Sequence, residues 1–436
     1  MITRTLRLHW DSSDSLPRAR TERLLLLLGG AFMVVNLWAL ALVRGEPLQT
    51  HLTAFVVWVG CALVGTFALQ RWLPRRDPLL FPITMFLCGW GLVMIDRLAP
   101  IFAARQTLWL AVSVAGLLAT ALFPYGLRWL KNYRYLLLVG GLVLLVSTII
   151  FGTNPSGQPG TPRLWLNVGA VFFQPSEALK IILVAFLASY LAEQYPALRA
   201  AGLNTASSRL WLSPRIYGPV LLMWGLCVVV LIWQRDLGTA ILFFIVFIAL
   251  LYIASGYTLI LLGGAALVLL ASVVAYNLFD VVQLRVDIWL NPWPEADGRA
   301  FQIVQSLLAF AAGGVFGQGV GQGAPGYIPV VHSDFMFAAV AEEFGQLGVL
   351  VVVVSLVMLI ARGLRTAIRQ QRRPFYALLA VGLSLLIATQ SLLIMGGALK
   401  LLPLTGVTLP FLSYGGSSLL MSFIMIGLLL RLSAEE

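Results

Sequence analysis

Apolar residues in this 436-residue chain are gathered into long continuous runs, and that arrangement limits its folds more than any single motif does. A helix needs about 20 predominantly apolar residues to cross the hydrocarbon core of a bilayer. Runs near that length occur at 24–43, 52–69, 79–94, 107–123, 135–151, 178–191 and 216–233. Others follow at 239–252, 259–278, 350–360 with its flanks, 375–399 and 407–430, so twelve spans are predicted. A membrane barrel would need apolar and polar residues to alternate, and here they do not. A helix satisfies its own backbone in lipid. The fold class implied is an all-α integral membrane protein. The composition agrees: 60% of residues are hydrophobic and 11% charged, against about 25% charged in soluble domains.

Twelve spans place both termini on one side, and the distribution of basic residues selects the cytoplasmic side. With the N-terminus inside, 20 of the 29 Lys and Arg residues fall in cytoplasmic segments, eight fall outside and Lys180 lies within a span. The +11 net charge then faces anionic headgroups and needs no nucleic acid partner. Residues 1–23 hold five arginines and read as a cytoplasmic basic tail, not a cleavable signal. Cys61, Cys88 and Cys227 all lie in apolar spans, without the spacing of a metal site or the loop context of disulfides, and read as packing residues.

Two long non-cytoplasmic segments interrupt the pattern, 152–174 and 281–335. Within the second, 301–316 is apolar but short, as in a re-entrant or surface helix shielded by the bundle. Function is expected on this face. Ionisable groups in or beside spans cost about 2.5–3.5 kcal/mol each on the translocon scale, so each needs a reason. Glu177 and Lys180 are three residues apart on one helical face, close enough to neutralise each other. With Asp236 they form a predicted three-group network, serving either helix packing or substrate. Asp287, Glu295, Asp297, Arg285 and Arg299 surround Asn291-Pro292-Trp293-Pro294. There a carboxylate could act as a general base and the arginines could hold a phosphate or pyrophosphate. The alternative is an ordinary solvated loop.

The glycine-rich stretch 313–326 has no preceding strand and no closing Lys-Ser/Thr, which excludes a dinucleotide fold and a P-loop. Its glycines suit tight turns and close backbone approach. His332-Ser333-Asp334 leads into a helix bearing Glu342 and Glu343, with Ser333 or Asp334 expected to cap it. The run 410–418 sits inside the last predicted span, where its small and hydroxyl residues suit close packing or a break around a cavity.

In order along the chain stand PRLWLNVG (162–169), FQPSEALK (173–180), QRDLGTA (234–240), NPW (291–293) with GRAFQIVQS (298–306), HSDFMFAAVAEEFG (332–345) and LPFLSYGGSS (409–418). The series resembles the SEDS family (shape, elongation, division and sporulation), which includes FtsW, RodA and SpoVE, over roughly residues 77–431. Asn-Pro-Trp leans toward FtsW-like members. The resemblance implies a ten-helix core at 77–431, with 24–76 an added helix pair and 281–335 a catalytic loop. It also implies a peptidoglycan glycosyltransferase polymerising lipid II at the outer face of the bacterial cytoplasmic membrane, in division or elongation, with a class B penicillin-binding protein.

The family's loop acid follows Asn-Pro-Trp by two residues, which here is Glu295 where the family usually has Asp; Asp297 stands two further on. This base would take the proton of the acceptor hydroxyl. Arg163, Lys180, Arg285 and Arg299 are the cations expected to stabilise the departing undecaprenyl pyrophosphate. Glu177, Asp236, His332, Ser333, Asp334 and Ser413 complete the expected substrate contacts. A divalent cation, Mg or Mn, could share the leaving-group charge, although no ligand set requires one. The competing readings are a flippase for the lipid-linked sugar and a non-catalytic scaffold that activates a partner synthase.

Overall fold

The computed structural model describes residues 15–123, 125–154, 163–169, 171–203 and 236–435, with isolated positions between 221 and 232. Helices α1 (Ser15–Arg44), α2 (Leu52–Trp72), α3 (Leu80–Leu98) and α4 (Pro100–Leu122) come first. The short α5 (Gly126–Asn132), α6 (Arg134–Phe151) and α7 (Pro175–Leu203) follow. Then come α8 (Leu237–Ser255), α9 (Thr258–Leu278), α10 (Asp280–Leu290) and α11 (Phe301–Gly313), and finally α12 (Met336–Arg369), α13 (Pro374–Ala398) and α14 (Gly416–Ala434). Among the described residues, 11 helices are long and apolar enough to cross a membrane. The span expected at 216–233 lies outside the described residues. The chain is a multi-pass membrane protein.

Helices α3 and α7 are each 83% buried over their apolar windows and α13 is 72% buried, whereas α9 is only 6% buried. The first three therefore form the centre, and α9 turns almost its whole apolar surface outward to lipid. Helix α14 packs on α4, α12 and α7 pack on α13, and α1 packs on α3.

Contacts between distant segments divide the bundle into two ends. At one, Arg76 donates to both carboxylate oxygens of Glu22 at 2.6 Å, and Arg362 Nε donates to Asp77 Oδ2 at 2.7 Å. The Asp77 backbone N–H donates to Ser433 Oγ at 2.9 Å, which ties the start of α3 to the ends of α12 and α14. At the other, Arg44 Nη2 donates to the carbonyls of Asp96 and Arg97 at 3.1 and 2.8 Å, and His51 Nδ1 lies 2.6 Å from Asp96 Oδ2. Among the described residues, this second end carries the long connections.

Three local features differ from the sequence expectation. The last helix begins at Gly416, not at 407: residues 403–409 lack regular structure, Gly406 has φ 73° and a turn over 410–413 precedes the helix. Pro403 and Pro410 lack the N–H that a continuing helix needs. The non-helical chain runs against α3 at Gly91, where a Cβ would sit 2.6 Å from the Leu412 carbonyl oxygen. The 152–174 segment contains an antiparallel hairpin, β1 (Leu166–Val168) with β2 (Val171–Phe173), turning at Gly169 with φ 67°. Neither Ser333 nor Asp334 caps α12; the N-cap is Phe335, with no side-chain cap. The short apolar helix expected at 301–316 is present as α11.

Helix α12 is broken at Gly345, with φ 66° and ψ −164°. The groups freed there are taken up by the glycine-rich segment. The backbone N–H groups of Gln318 and Gly319 donate to the carbonyls of Glu342 and Glu343, and those of Gln346 and Leu347 donate to the carbonyls of Gly314 and Val315. A helix interruption at membrane depth is tolerated only with such compensation. A Cβ on Gly345 would collide with the backbone of Gly317 and Val315. We expect Gly345→Val to destabilise the protein by about 2 kcal/mol or more. Gly60→Ala, with open space around it, should leave the thermal unfolding midpoint in detergent unchanged. Equal midpoints for both variants would show that this pairing does not hold the break.

Candidate functional site

The FQPSEALK motif opens α7, and its polar side chains point into the bundle. Lys180 Nζ donates to Glu177 Oε1 at 2.7 Å and to Gln390 Oε1 of α13 at 3.1 Å. Lys180 is only 2% exposed and Glu177 7%. Two opposite charges three residues apart meet because helix geometry stacks them on one face. Asp236 stands at the N-cap of α8, where its Oδ1 accepts from the Thr239 N–H at 3.2 Å. Its other oxygen accepts from Ser176 Oγ at 3.3 Å, which joins it to the motif on α7.

Gln390 relays this set to the non-helical chain before α14: its Nε2 donates to the Thr408 carbonyl at 2.8 Å. From there the LPFLSYGGSS segment reaches the HSD motif. Ser413 Oγ donates to the Ser333 carbonyl at 2.6 Å, and the Tyr414 N–H donates to the His332 carbonyl at 2.8 Å. Ser333 Oγ donates to Asp334 Oδ1 at 2.7 Å. Phe102 of α4 stacks on Tyr414 at 4.7 Å and lies 5.1 Å from the His332 ring. The Gln174 backbone N–H donates to Ser417 Oγ at 3.0 Å, which returns the chain of bonds to α7. Four motifs spread over residues 173–418 thus form one hydrogen-bonded assembly.

Arg285, on α10, links this assembly to the long 281–335 connection. It is half-buried, and burial pushes its pKa down while the nearby Asp334 and Asp236 carboxylates work against that. Burial pushes Asp334 up and His332 down, so the histidine is held neutral near pH 7. The connection is anchored at its base: Trp289 Nε1 donates to the Lys400 carbonyl at 3.1 Å and Ser306 Oγ to that of Ala398 at 2.8 Å.

Glu295 and Asp297 lie apart from this assembly, on the solvent side of the same connection. Glu295 ends a single 3-10 turn, Trp293–Glu295, and its Oε1 accepts from Arg299 Nη2 at 2.8 Å. The side chains are 44% and 64% exposed, so the pair is worth little to stability. Its chemical effect is larger: the Arg299 guanidinium holds the Glu295 carboxyl below its ordinary range. Asp297 is exposed. Arg163 is exposed at the edge of the hairpin, beside the Thr153–Trp165 bridge.

Several participants were not singled out from sequence. Gln390 and Thr408 carry the link between α7 and the last loop, and Gln106 Oε1 accepts from the Gly415 N–H at 3.4 Å. Of these, only Gln390 leaves a sequence signal, an isolated amide inside an apolar run. Arg97 is another participant: its Nε donates to the buried Glu343 at 3.0 Å, and its Nη2 donates to the Gly323 carbonyl at 3.0 Å. Glu342 accepts from the Ala324 N–H at 2.7 Å. The adjacent glutamates therefore hold the glycine-rich segment down. Among the described residues no group of three or more His, Cys, Asp or Glu is placed to hold a metal ion.

Removing one member of a buried ion pair strands the other charge, at a cost of about 3–5 kcal/mol. We expect Lys180→Met alone to destabilise by that order, and Glu177→Gln with Lys180→Met to cost less than the sum of the single changes. A double-mutant cycle on unfolding in detergent measures this. Additive effects would mean the two charges do not depend on each other.

Residues 79–436 match the FtsW/RodA/SpoVE family of cell-cycle proteins. The chain is 37% identical over 435 residues to the peptidoglycan glycosyltransferase RodA of Mycobacterium tuberculosis strain H37Rv, covering 96% of this chain and 91% of the relative. It is 30% identical to the probable peptidoglycan glycosyltransferase FtsW of Bacillus subtilis strain 168, over 84% and 92% of the two chains. Among solved structures, a chain of a peptidoglycan synthase complex that coordinates polymerization and crosslinking superposes with a TM-score of 0.67 at 27% identity, covering 82% of this chain and 97% of that one. A fold of buried central helices and a loop-rich end, a set of motifs joined at that end, and similarity over nearly the whole chain lead to one conclusion: this protein belongs to the FtsW/RodA/SpoVE family.

Proposed function

We propose that this chain, a peptidoglycan glycosyltransferase, polymerises lipid II into glycan strands at the outer face of the bacterial cytoplasmic membrane, with both termini cytoplasmic. The observation that carries the reading is the convergence of Lys180, Glu177, Asp236, Arg285, Asp334 and Ser413 at one end of the bundle, beneath the connection bearing Glu295 and Asp297. Helices α1 and α2, which precede the family match, are an addition to a ten-helix core. A class B penicillin-binding protein crosslinks the strands, in keeping with the synthase complex whose chain this one resembles.

The chemistry asked of the site is a single displacement. A carboxylate, Glu295 or Asp297, takes the proton of the acceptor sugar's hydroxyl as that oxygen bonds to the donor's anomeric carbon. The bond from that carbon to the undecaprenyl pyrophosphate oxygen breaks, and the pyrophosphate leaves with the electron pair. Charge developing there is stabilised by cations already in place. Arg285 is half-buried, with the Asp334 and Asp236 carboxylates nearby. Lys180 sits deeper, held by Glu177 and Gln390, and fixes the helix ends against which the substrate rests. Arg163 supplies a further charge from the hairpin edge. Arg299 has two roles: it keeps Glu295 ionised in the resting enzyme, and it can turn to the pyrophosphate. That turn would release Glu295 and restore its basicity as the acceptor arrives. The apolar flanks of the bundle take the two lipid tails.

Loss of a general base lowers rate by about 10²–10⁴-fold. We expect Glu295→Gln, or Glu295→Gln combined with Asp297→Asn, to cut polymer yield from labelled lipid II by that order when the enzyme is assayed with its partner. Unchanged yield in the double variant would refute this mechanism. A second test uses pH. Arg299 lowers the Glu295 pKa, so Arg299→Ala returns it upward and the carboxylate protonates at higher pH. The acid limb of the kcat/KM profile, which reports the free enzyme, should therefore move to higher pH in Arg299→Ala, whatever happens to the maximal rate. An unmoved limb would show that Glu295 is not the titrating base.

A further inference from the structure

The end of the bundle opposite the glycosyl-transfer site holds a partly enclosed cavity of about 540 Å³ that this activity does not use. One wall is α5, which contributes Leu127, Arg128 and Lys131; the facing wall is the start of α13, with Arg373, Phe375 and Tyr376. Helix α5, seven residues long, is too short to span and packs against α6 and α7. Leu127 anchors it inward while Arg128 and Lys131, three residues apart, stay exposed on one face. The Lys131 carbonyl accepts from Ser189 Oγ of α7 at 3.2 Å, which fixes α5 against the core. Tyr125, Trp129, Tyr133 and Tyr135 around it are all exposed by about half or more. Such rings settle at the boundary between hydrocarbon and headgroups.

Among the described residues, basic side chains outnumber acidic ones in the lining of this cavity. Two described carboxylates nearby have arginine partners: Glu193 accepts from Arg134 at 2.6 Å, and Glu435 accepts from Arg431 at 2.9 Å. Glu435 also lines the cavity, and its Oε2 stands 3.7 Å from Arg373. It occupies the rim as an anion would, yet among the described residues no carboxylate forms an ion pair with Arg128 or Lys131. Cations around an apolar-floored cavity at the headgroup level match a phosphate ester attached to acyl chains. The neighbouring lipid-facing helices supply surface for those chains.

We propose that this cavity binds the phosphate headgroup of an anionic phospholipid, held by Arg128, Lys131 and Arg373 with the aromatic rings of α5 at the chain boundary. The test is lipid retention by the full chain, read by native mass spectrometry after exchange into nanodiscs of phosphatidylglycerol and phosphatidylcholine. The wild type should retain phosphatidylglycerol preferentially. Arg128→Gln/Lys131→Gln/Arg373→Gln should weaken that retention by roughly a hundredfold. Glu435→Gln, which removes the competing carboxylate, should strengthen it, so the proposal is tested even if the triple variant folds poorly. Equal retention of both lipids by the wild type would overturn the proposal. Displacement of the lipid by millimolar inorganic phosphate alone would also overturn it, since the site would then take a free anion. The readout is independent of polymerisation.

Discussion

Backbone groups that leave a helix inside a bilayer find no water, and each must be bonded by the protein itself. The whole loop-rich end of this molecule is built around that demand. Helix α12 stops being helical at Gly345, and the glycine-rich segment supplies the missing partners from 314 to 319. That segment stays in place because Glu342 and Glu343, buried beside the break, bond to Ala324 and Arg97. The chain from 399 to 415 likewise trades helical bonds for contacts with Gln390, Ser333 and His332. Irregular backbone in such surroundings is costly, and its concentration at one end marks where polar groups can be presented to a lipid-borne substrate.

Much of this was legible in the sequence, for identifiable reasons. Continuous apolar runs report lipid-facing helices directly, and the Glu177–Lys180 pair follows from helical spacing alone. The start of the last helix was not legible, because Val407, Leu409, Phe411 and Leu412 are as apolar as a span while serving as buried loop. The bond from Ser413 to Ser333 joins residues 80 apart, and no local pattern encodes it. Gln390 looked like one polar residue in an apolar run; its part in coupling Lys180 to Thr408 exists only once α7 and α13 pack. The hairpin at 166–173 was too short to carry a periodic signal. Position along the chain also distinguishes a helix-borne set of charges, Glu177, Lys180 and Asp236, from a loop-borne set, and Arg285 of the second lies near Asp236 of the first.

The two carboxylate environments at this end differ in a way that suits a division of labour. Asp334 is sheltered and its pKa is pushed up by burial, whereas Glu295 is exposed and its pKa is pushed down by Arg299. An exposed acid held ionised by an exposed arginine can meet an incoming sugar hydroxyl from the aqueous side. The sheltered assembly, tied by hydrogen bonds to α7, α8, α13 and α14, suits a fixed cradle for a charged leaving group. Rigid support beneath a more open loop is how a site combines positioning with substrate exchange.

The central claim is that the chain forms glycosidic bonds and does not merely move their precursor across the membrane. Fluorescent lipid II reconstituted with the purified protein and its partner separates the two on a polymer gel read beside a translocation assay. Glycan strands of increasing length, formed from substrate already exposed at the outer face, are the predicted result. Robust movement of lipid II across the bilayer with no polymer would contradict the account.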